Sequence, residues 1–256
     1  MKDIANLFKP FSQIGKNTKI LVSVFSVVIL LFAWNVVSGD LFPSPMDVFT
    51  KMIDFAGSDS FWRHAIVSIG LTCKSMFYAI IISMFLACLW TLEAFKPLIE
   101  IIRKFRYLTI NGVIFLFTVM FHNGSDIKMA LLLFGIVPFF LDSLIIMINA
   151  IPQEEHDLCT VIKYNKFRTL YELLLLGRLD QVLIVMKQNF AISWMMITCV
   201  EGVCTSEGGL GFLLTQSAKY IHLNEVFAVL LFILLIGIFI DWLIGKIRTW
   251  LFPYTR

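Results

Sequence analysis

Three ionisable residues, Lys74, Asp142 and Lys187, stand inside stretches that are otherwise apolar. A charge carried into hydrocarbon costs roughly 3 kcal/mol or more, so such groups face a partner or a water-filled path. Asp142 can act as counter-ion to either lysine, or one or more of the three can line a path for a charged solute. Asn149, Asn189 and Ser193 add polar groups to the same stretches. Covalent chemistry has less to work with. No histidine lies mid-run and Ser193 has no base nearby, so the nucleophile–base pair of an intramembrane enzyme is not expected. The five cysteines are odd in number and include no CxxC pair, which argues against a disulfide framework or a zinc site. The glycine-rich "EGGLG" lacks the lysine of a GxxxxGK[ST] phosphate loop, so no nucleotide is expected on this chain.

The elements that hold these residues are set by hydropathy. Of the 256 residues 59% are hydrophobic and 15% charged, with a mean hydropathy of +0.84. Soluble domains are nearer half apolar and a quarter charged, so a polytopic membrane protein is expected, with no large soluble domain. Crossing ~30 Å of hydrocarbon takes about 20 apolar residues. Six segments qualify or nearly so: Ile20–Val37, Ala65–Leu92, Leu108–Phe121, Ile127–Ala150, Val182–Val200 and Val226–Ile244. The third is short and can begin further back, within "IIRKFRYLTI". Fifteen Lys/Arg fall on the side of both termini and of the loops after spans two and four; Lys51, Arg63, Lys128 and Lys219 fall on the other. The positive-inside rule then places both termini in the cytoplasm.

The expected organisation is an N-terminal arm (1–19), a single transmembrane domain (20–251) and a short tail (252–256). The domain includes an external linker (40–64) and a cytoplasmic loop (152–178). An 18-residue run behind a 19-residue polar arm is too long for a cleaved signal peptide. Within the linker, Met46, Phe49, Met52 and Ile53 form a helical stripe expected to lie along the membrane and pack on the spans.

One polar stretch interrupts this pattern, "HDLCTVIKYNKFRTLYELLLLG", His156 to Gly177. Leu158, Val161 and Ile162 follow helical spacing; Phe167, Leu170, Tyr171 and Leu174 repeat it one residue out of phase. Two short helices meeting at a turn fit this slip, with Asn165 suited to a left-handed backbone. Pro152, Glu154 and Glu155 supply the helix start. The pattern leaves open whether this helix lies on lipid or projects as a knob.

Three stretches, in order, carry a family resemblance. They are "LFPSPMDVFTKM" with "FWRHAIVSIG", "IPQEEHDLCTVIKYNKFRTLYELLLLG", and "CVEGVCTSEGGLGFLL". Together the chain resembles the transmembrane permease subunit of a bacterial ABC importer of the nitrate/sulfonate/taurine type. The resemblance implies an all-α, six-span fold with a cytoplasmic coupling helix. Asp157, Leu158, Thr160, Val161, Lys163, Tyr164, Asn165 and Phe167 would contact the ATPase. Glu201, Gly208, Gly209 and Gly211 would shape an outer gate or meet a binding protein, although a plain helix-end carboxylate and a tight glycine turn explain them equally. Lys74, Asp142, Asn149, Lys187, Asn189 and Ser193 would be candidates for the translocation path.

The implied partners are two ATPase subunits carrying ATP and magnesium, a second permease copy, an external substrate-binding protein and the lipid bilayer. No nucleic acid is expected, and the implied location is the bacterial inner membrane. The implied cargo is a small anion or a vitamin precursor. The sequence departs from the family where Asp157-Leu158-Cys159 replaces Glu-Ala-Ala, where Lys163–Tyr164–Asn165 replaces the usual glycine, and where Gly177 replaces a proline. The coupling subunit of an energy-coupling-factor vitamin importer is the nearest alternative, but Arg168 and Arg178 stand alone rather than in its paired arginine motifs.

Overall fold

The computed structural model describes residues 15–39, 42–165, 168–169, 172–173 and 177–252, and these are mostly helical, with no strand among them. Five helices are long and apolar enough to cross a membrane. They are α1 (Lys16–Val37), α3 (Asp59–Trp90), α6 (Gly124–Asn149), α8 (Leu179–Val203) and α10 (Leu223–Leu251). Shorter helices are α2 (Pro45–Ala56), α4 (Lys96–Lys104), α5 (Ile110–Met120), α7 (Gln153–Val161) and α9 (Leu210–Lys219). The apolar runs thus all form helices, generally a few residues longer than hydropathy alone indicates.

α6 is the central helix, packed chiefly on α3 and α8. The buried face of α3 is a row of small residues, Ala65, Ser68, Thr72, Ser75, Ala79, Ser83 and Ala87. Small side chains let helix backbones approach closely where lipid supplies no hydrophobic drive for packing. Their hydroxyls are satisfied locally: Thr72 donates to the Ser68 carbonyl (2.8 Å), Ser75 to that of Thr72 (2.9 Å), and Ser83 across to that of Val137 (3.3 Å). α1 buries none of its apolar core segment. It meets the remainder at one end, where Trp34 packs on Phe227 and donates to the Pro43 carbonyl at 3.1 Å.

The third apolar run forms one short helix, broken from the residues before it. α5 has 11 residues, and a 3-10 turn at Phe105–Tyr107 joins it to α4. Phe105 and Phe117, on either side of the break, both pack on Phe134 of α6. α3 and α6 begin at the same end of the molecule, so the α4–α5 segment carries the chain back between them.

In the linker, Ser44 caps α2 by accepting from the Asp47 amide at 3.2 Å. The stripe expected to pack inward is turned outward: Met46, Phe49 and Ile53 are exposed, while Val48 and Phe55 pack on the body. α2 has two apolar faces, and the sequence stripe marks the outer one.

Candidate functional site

The polar network of the fold lies at the end where α3 and α6 begin and α8 finishes. Glu201, fully buried in the last turn of α8, accepts the Ser68 hydroxyl (2.8 and 2.7 Å to its two oxygens) and the Gly211 amide (3.0 Å). Ser68 Oγ in turn accepts the Leu210 amide at 2.8 Å, and His64 Nδ1 accepts the Gly209 amide at 3.0 Å. That bond makes Nδ1 the acceptor and leaves the proton of a neutral imidazole on Nε2. Three successive amides of the glycine segment are therefore each held by a side chain from α3 or α8.

From the far side, Lys128 of α6, also fully buried, donates to the carbonyls of Ser206 and Gly208, the latter at 3.0 Å. The loop 204–209 is thus pinned across the ends of α3, α6 and α8. Gly208 and Gly209 take φ of +76° and +123°, backbone states that a Cβ disfavours. Cys204 sits at the edge of this network, and burial pushes its thiol above the usual range.

His64 and Ser68 are not singled out by the sequence reading; the signal that could have found them is their i, i+4 spacing in "FWRHAIVSIG". From the sequence Lys128 is only one of four charges on the side opposite the termini; its signal is a lone cation entering the apolar run "KMALLLFG". Among the described residues no cluster of His, Cys, Asp and Glu suits a metal ion.

At the opposite end, α7 starts after Pro152 with Glu154 and Glu155 in its first turn, as expected. Leu158, Val161 and Ile162 are 60%, 78% and 51% exposed. One tie to the body is the Arg178–Glu155 ion pair at 2.6 Å. The helix closes with the Tyr164 amide on the Cys159 carbonyl and the Lys163 amide on that of Thr160, both 3.0 Å. This paired closure needs a left-handed residue, and Lys163, not Asn165, supplies it at φ +58°. The register is set by where the apolar stripe ends, which puts the reversal two residues before the asparagine. Asp157 and Thr160 lie on α7, and Arg168 stacks over the Tyr164 ring at 4.4 Å. Phe167, Leu170, Tyr171 and Leu174 lie outside the described residues.

A left-handed lysine is strained by about 1 kcal/mol relative to glycine. Lys163→Gly is accordingly expected to slow amide exchange in the last turn of α7 about five-fold. Unchanged or faster exchange, read by hydrogen–deuterium exchange, would contradict the turn.

The intramembrane charges sort differently from expectation. Asp142 pairs with neither lysine; Arg103 (Nε at 2.9 Å) and Arg106 grip its two carboxylate oxygens. The break between α4 and α5 brings these arginines to α6, which a linear reading placed in a loop. Lys187 pairs with Asp241 of α10 at 3.2 Å. Asn189 and Ser193 are buried, with Asn189 donating to the Val185 carbonyl (2.9 Å) and the Ser143 hydroxyl (3.3 Å) and Ser193 to the Asn189 carbonyl (2.9 Å). Asn149 ends α6, exposed. Lys74 is exposed on α3, with no hydrogen bond or ion pair among the described residues.

No protein-family model matches the sequence, and no curated protein is significantly similar to it. The class that the fold defines is an α-helical, membrane-embedded protein.

Proposed function

We propose that this chain is the permease subunit of an ATP-driven importer of the ABC type, forming half of a solute path and coupled through α7 to a separate ATPase. The carrying observation is α7 itself. It is a short helix beyond the end of α6, with Leu158, Val161 and Ile162 uncovered while Cys159 is buried and Glu155 pairs with Arg178. An apolar face held out from the body at a strained turn suits the groove of a partner protein.

In this reading α4–α5 is a broken third crossing, giving six in all. The pinned glycine loop lies at the external end, and α7 and both termini lie in the cytoplasm. ATP-driven closure of two ATPase subunits draws two α7 helices together and shifts the path outward; hydrolysis resets it. ATP and magnesium sit on the ATPase, and an external binding protein delivers the solute near Glu201 and Gly208–Gly211. The sequence resemblance supports the same assignment independently of the exposed face.

The test is gentle purification from the native membrane, with the intact mass of the complex. Two copies of the chain with two ATPases are expected. Tyr164→Glu or Val161→Glu should lose the ATPase while the chain stays inserted. Recovery of the ATPase with both variants, or no ATPase at all with the unaltered chain, overturns the coupling assignment. One copy with two ATPases and a small membrane subunit points to the energy-coupling-factor architecture instead.

A further inference from the structure

Only 11% of the apolar core segment of α10 is buried, against 61% for α6. Along part of its length α10 is parted from α8 by a groove of about 450 Å³, within the roughly 300–1,000 Å³ of ligand sites. The floor is Phe190 and Trp194, both buried and stacked with ring centroids 6.0 Å apart. The Trp194 indole donates to the Ile233 carbonyl at 3.0 Å, which fixes the ring against closing the gap. Gly237 keeps the facing wall low, since an added Cβ would stand 3.1 Å from that ring. Leu234 and Ile238 form an exposed rim.

The groove follows α10 from Leu230 to Asp241, about 16 Å at 1.5 Å per residue. That is close to the hydrocarbon thickness of one leaflet, half of ~30 Å. Apart from Thr198, whose hydroxyl donates to the Met195 carbonyl at 2.8 Å, its lining is apolar as far as Asp241. There the character changes. Asp241 pairs with Lys187 at 3.2 Å, and both side chains are partly exposed.

Beyond this pair, towards the end where α8 begins and α10 finishes, the chain has the marks of a membrane interface. Trp242 and Trp250 are both exposed, about 12 Å apart along the helix, as aromatic residues at a headgroup layer are. Between them stand Lys246, over the Trp242 ring at 5.4 Å, and Arg248. Arg248 follows Asp241 and Gly245 by seven and three residues, which places it on the groove side of α10. Its Nε is buried with no hydrogen-bond partner among the described residues. The Lys187 ammonium lies over Gly245, 3.6 Å from the place of an added Cβ. The carboxylates at this level are Asp241 and, two turns before Lys187, Asp180. Three cations against two carboxylates leave one positive charge in excess.

We infer that this groove holds one phospholipid with a singly anionic headgroup, an acyl chain lying on Trp194 and Gly237 and the phosphodiester beside Lys187 and Arg248. An apolar groove of one leaflet's length that ends on an excess cation matches both parts of such a molecule. A zwitterionic headgroup would leave the excess charge in place. The bound chain covers the side of α10 that α8 leaves open, so the lipid is a packing element of the fold. This requires only that the protein lies in a membrane and stands whether or not it is an importer.

The test uses the full complex, purified in mild detergent from membranes containing phosphatidylglycerol and phosphatidylethanolamine. Its intact mass is recorded with bound lipids, which are identified by fragmentation. The protein is then stripped with excess detergent and titrated with phosphatidylglycerol, phosphatidylethanolamine or phosphatidylcholine while the thermal midpoint is followed. One phosphatidylglycerol per chain should survive purification, and that lipid should restore the midpoint at the lowest concentration. Arg248→Gln should weaken its binding about five-fold, the contribution of one basic residue at a headgroup. Ala191→Phe, which fills the groove from an exposed position, should remove the bound lipid from a chain that still elutes as a single peak. Preference for either zwitterionic lipid, or binding unchanged in both variants, overturns the assignment. So does a lipid-free dimer that Ala191→Phe dissociates, which would make the groove a contact between copies.

Discussion

Gly211→Ala should leave the protein unable to hold its helices together in detergent at temperatures the unaltered chain withstands. The added methyl would fall on the backbone carbonyl oxygen of Thr198 and within 2.9 Å of Glu201 Cβ. Both belong to α8, so neither can swing away as a long side chain would. Relief requires α9 to lift from α8, and lifting breaks the Gly211 amide from Glu201 (3.0 Å) and the Leu210 amide from Ser68 (2.8 Å). A buried carboxylate that loses such a donor forfeits about 1.5–3 kcal/mol, and the stranded amides add to it. We expect a loss of about 4 kcal/mol, against ~0.5 kcal/mol or less for Gly39→Ala, where an added Cβ has nothing within 4 Å. Thermal scans followed by loss of the monodisperse chromatographic peak measure the difference. Equal midpoints for the two variants would show that α9 does not seat on α8 as described.

The second large effect belongs to Asp142. Its replacement by alanine removes the carboxylate that holds Arg103 and Arg106, whose side chains are 26% and 29% exposed, and leaves both charges without a counter-ion. Removing one member of a buried ion pair typically costs about 3–5 kcal/mol, because the remaining charge is stranded. Asp142→Ala should therefore be recovered poorly or aggregated. Replacing all three residues by apolar ones of similar size removes the stranded charge as well, and such swaps are often close to neutral. The triple variant Arg103→Met, Arg106→Met, Asp142→Leu should accordingly recover most of the folded yield. If Asp142→Ala alone is as stable as the unaltered protein, the cluster is too well hydrated to hold the broken helix.

Much of this architecture could be read from the chain before its fold was known. Hydropathy located every long helix because a spanning element must satisfy its backbone within itself, and length and apolarity then suffice to find it. The start of α7 was legible too, since Pro152 and the two glutamates act locally. What escaped were contacts that depend on three dimensions. Asp142 had two lysines as plausible partners in sequence, yet its partners come from a segment folded back at a 3-10 turn. Lys128 looked like an external loop charge because nothing in its neighbours reveals the carbonyls of Ser206 and Gly208 above it. The left-handed residue fell on Lys163 rather than Asn165 because helix phase, not residue preference, fixed where the chain turned. Glu201 and the glycines were marked as a unit by the family resemblance, but their grip on Ser68 and His64 needed the packing of α3 on α8.

The broken segment also constrains how the protein is made. α4 and α5 emerge from the ribosome with Arg103 and Arg106 but without Asp142, which follows Arg106 by 36 residues. The apolar part of the segment, 11 residues in α5, spans about 16 Å, half the thickness of a bilayer core. It has neither the length nor the neutralised charge to enter lipid by itself. In the proposed six-crossing reading its integration therefore waits for α6, and the two would be taken up as a single hairpin whose later half carries the counter-ion for the earlier one. Translation order and membrane-insertion order part company at this point of the chain.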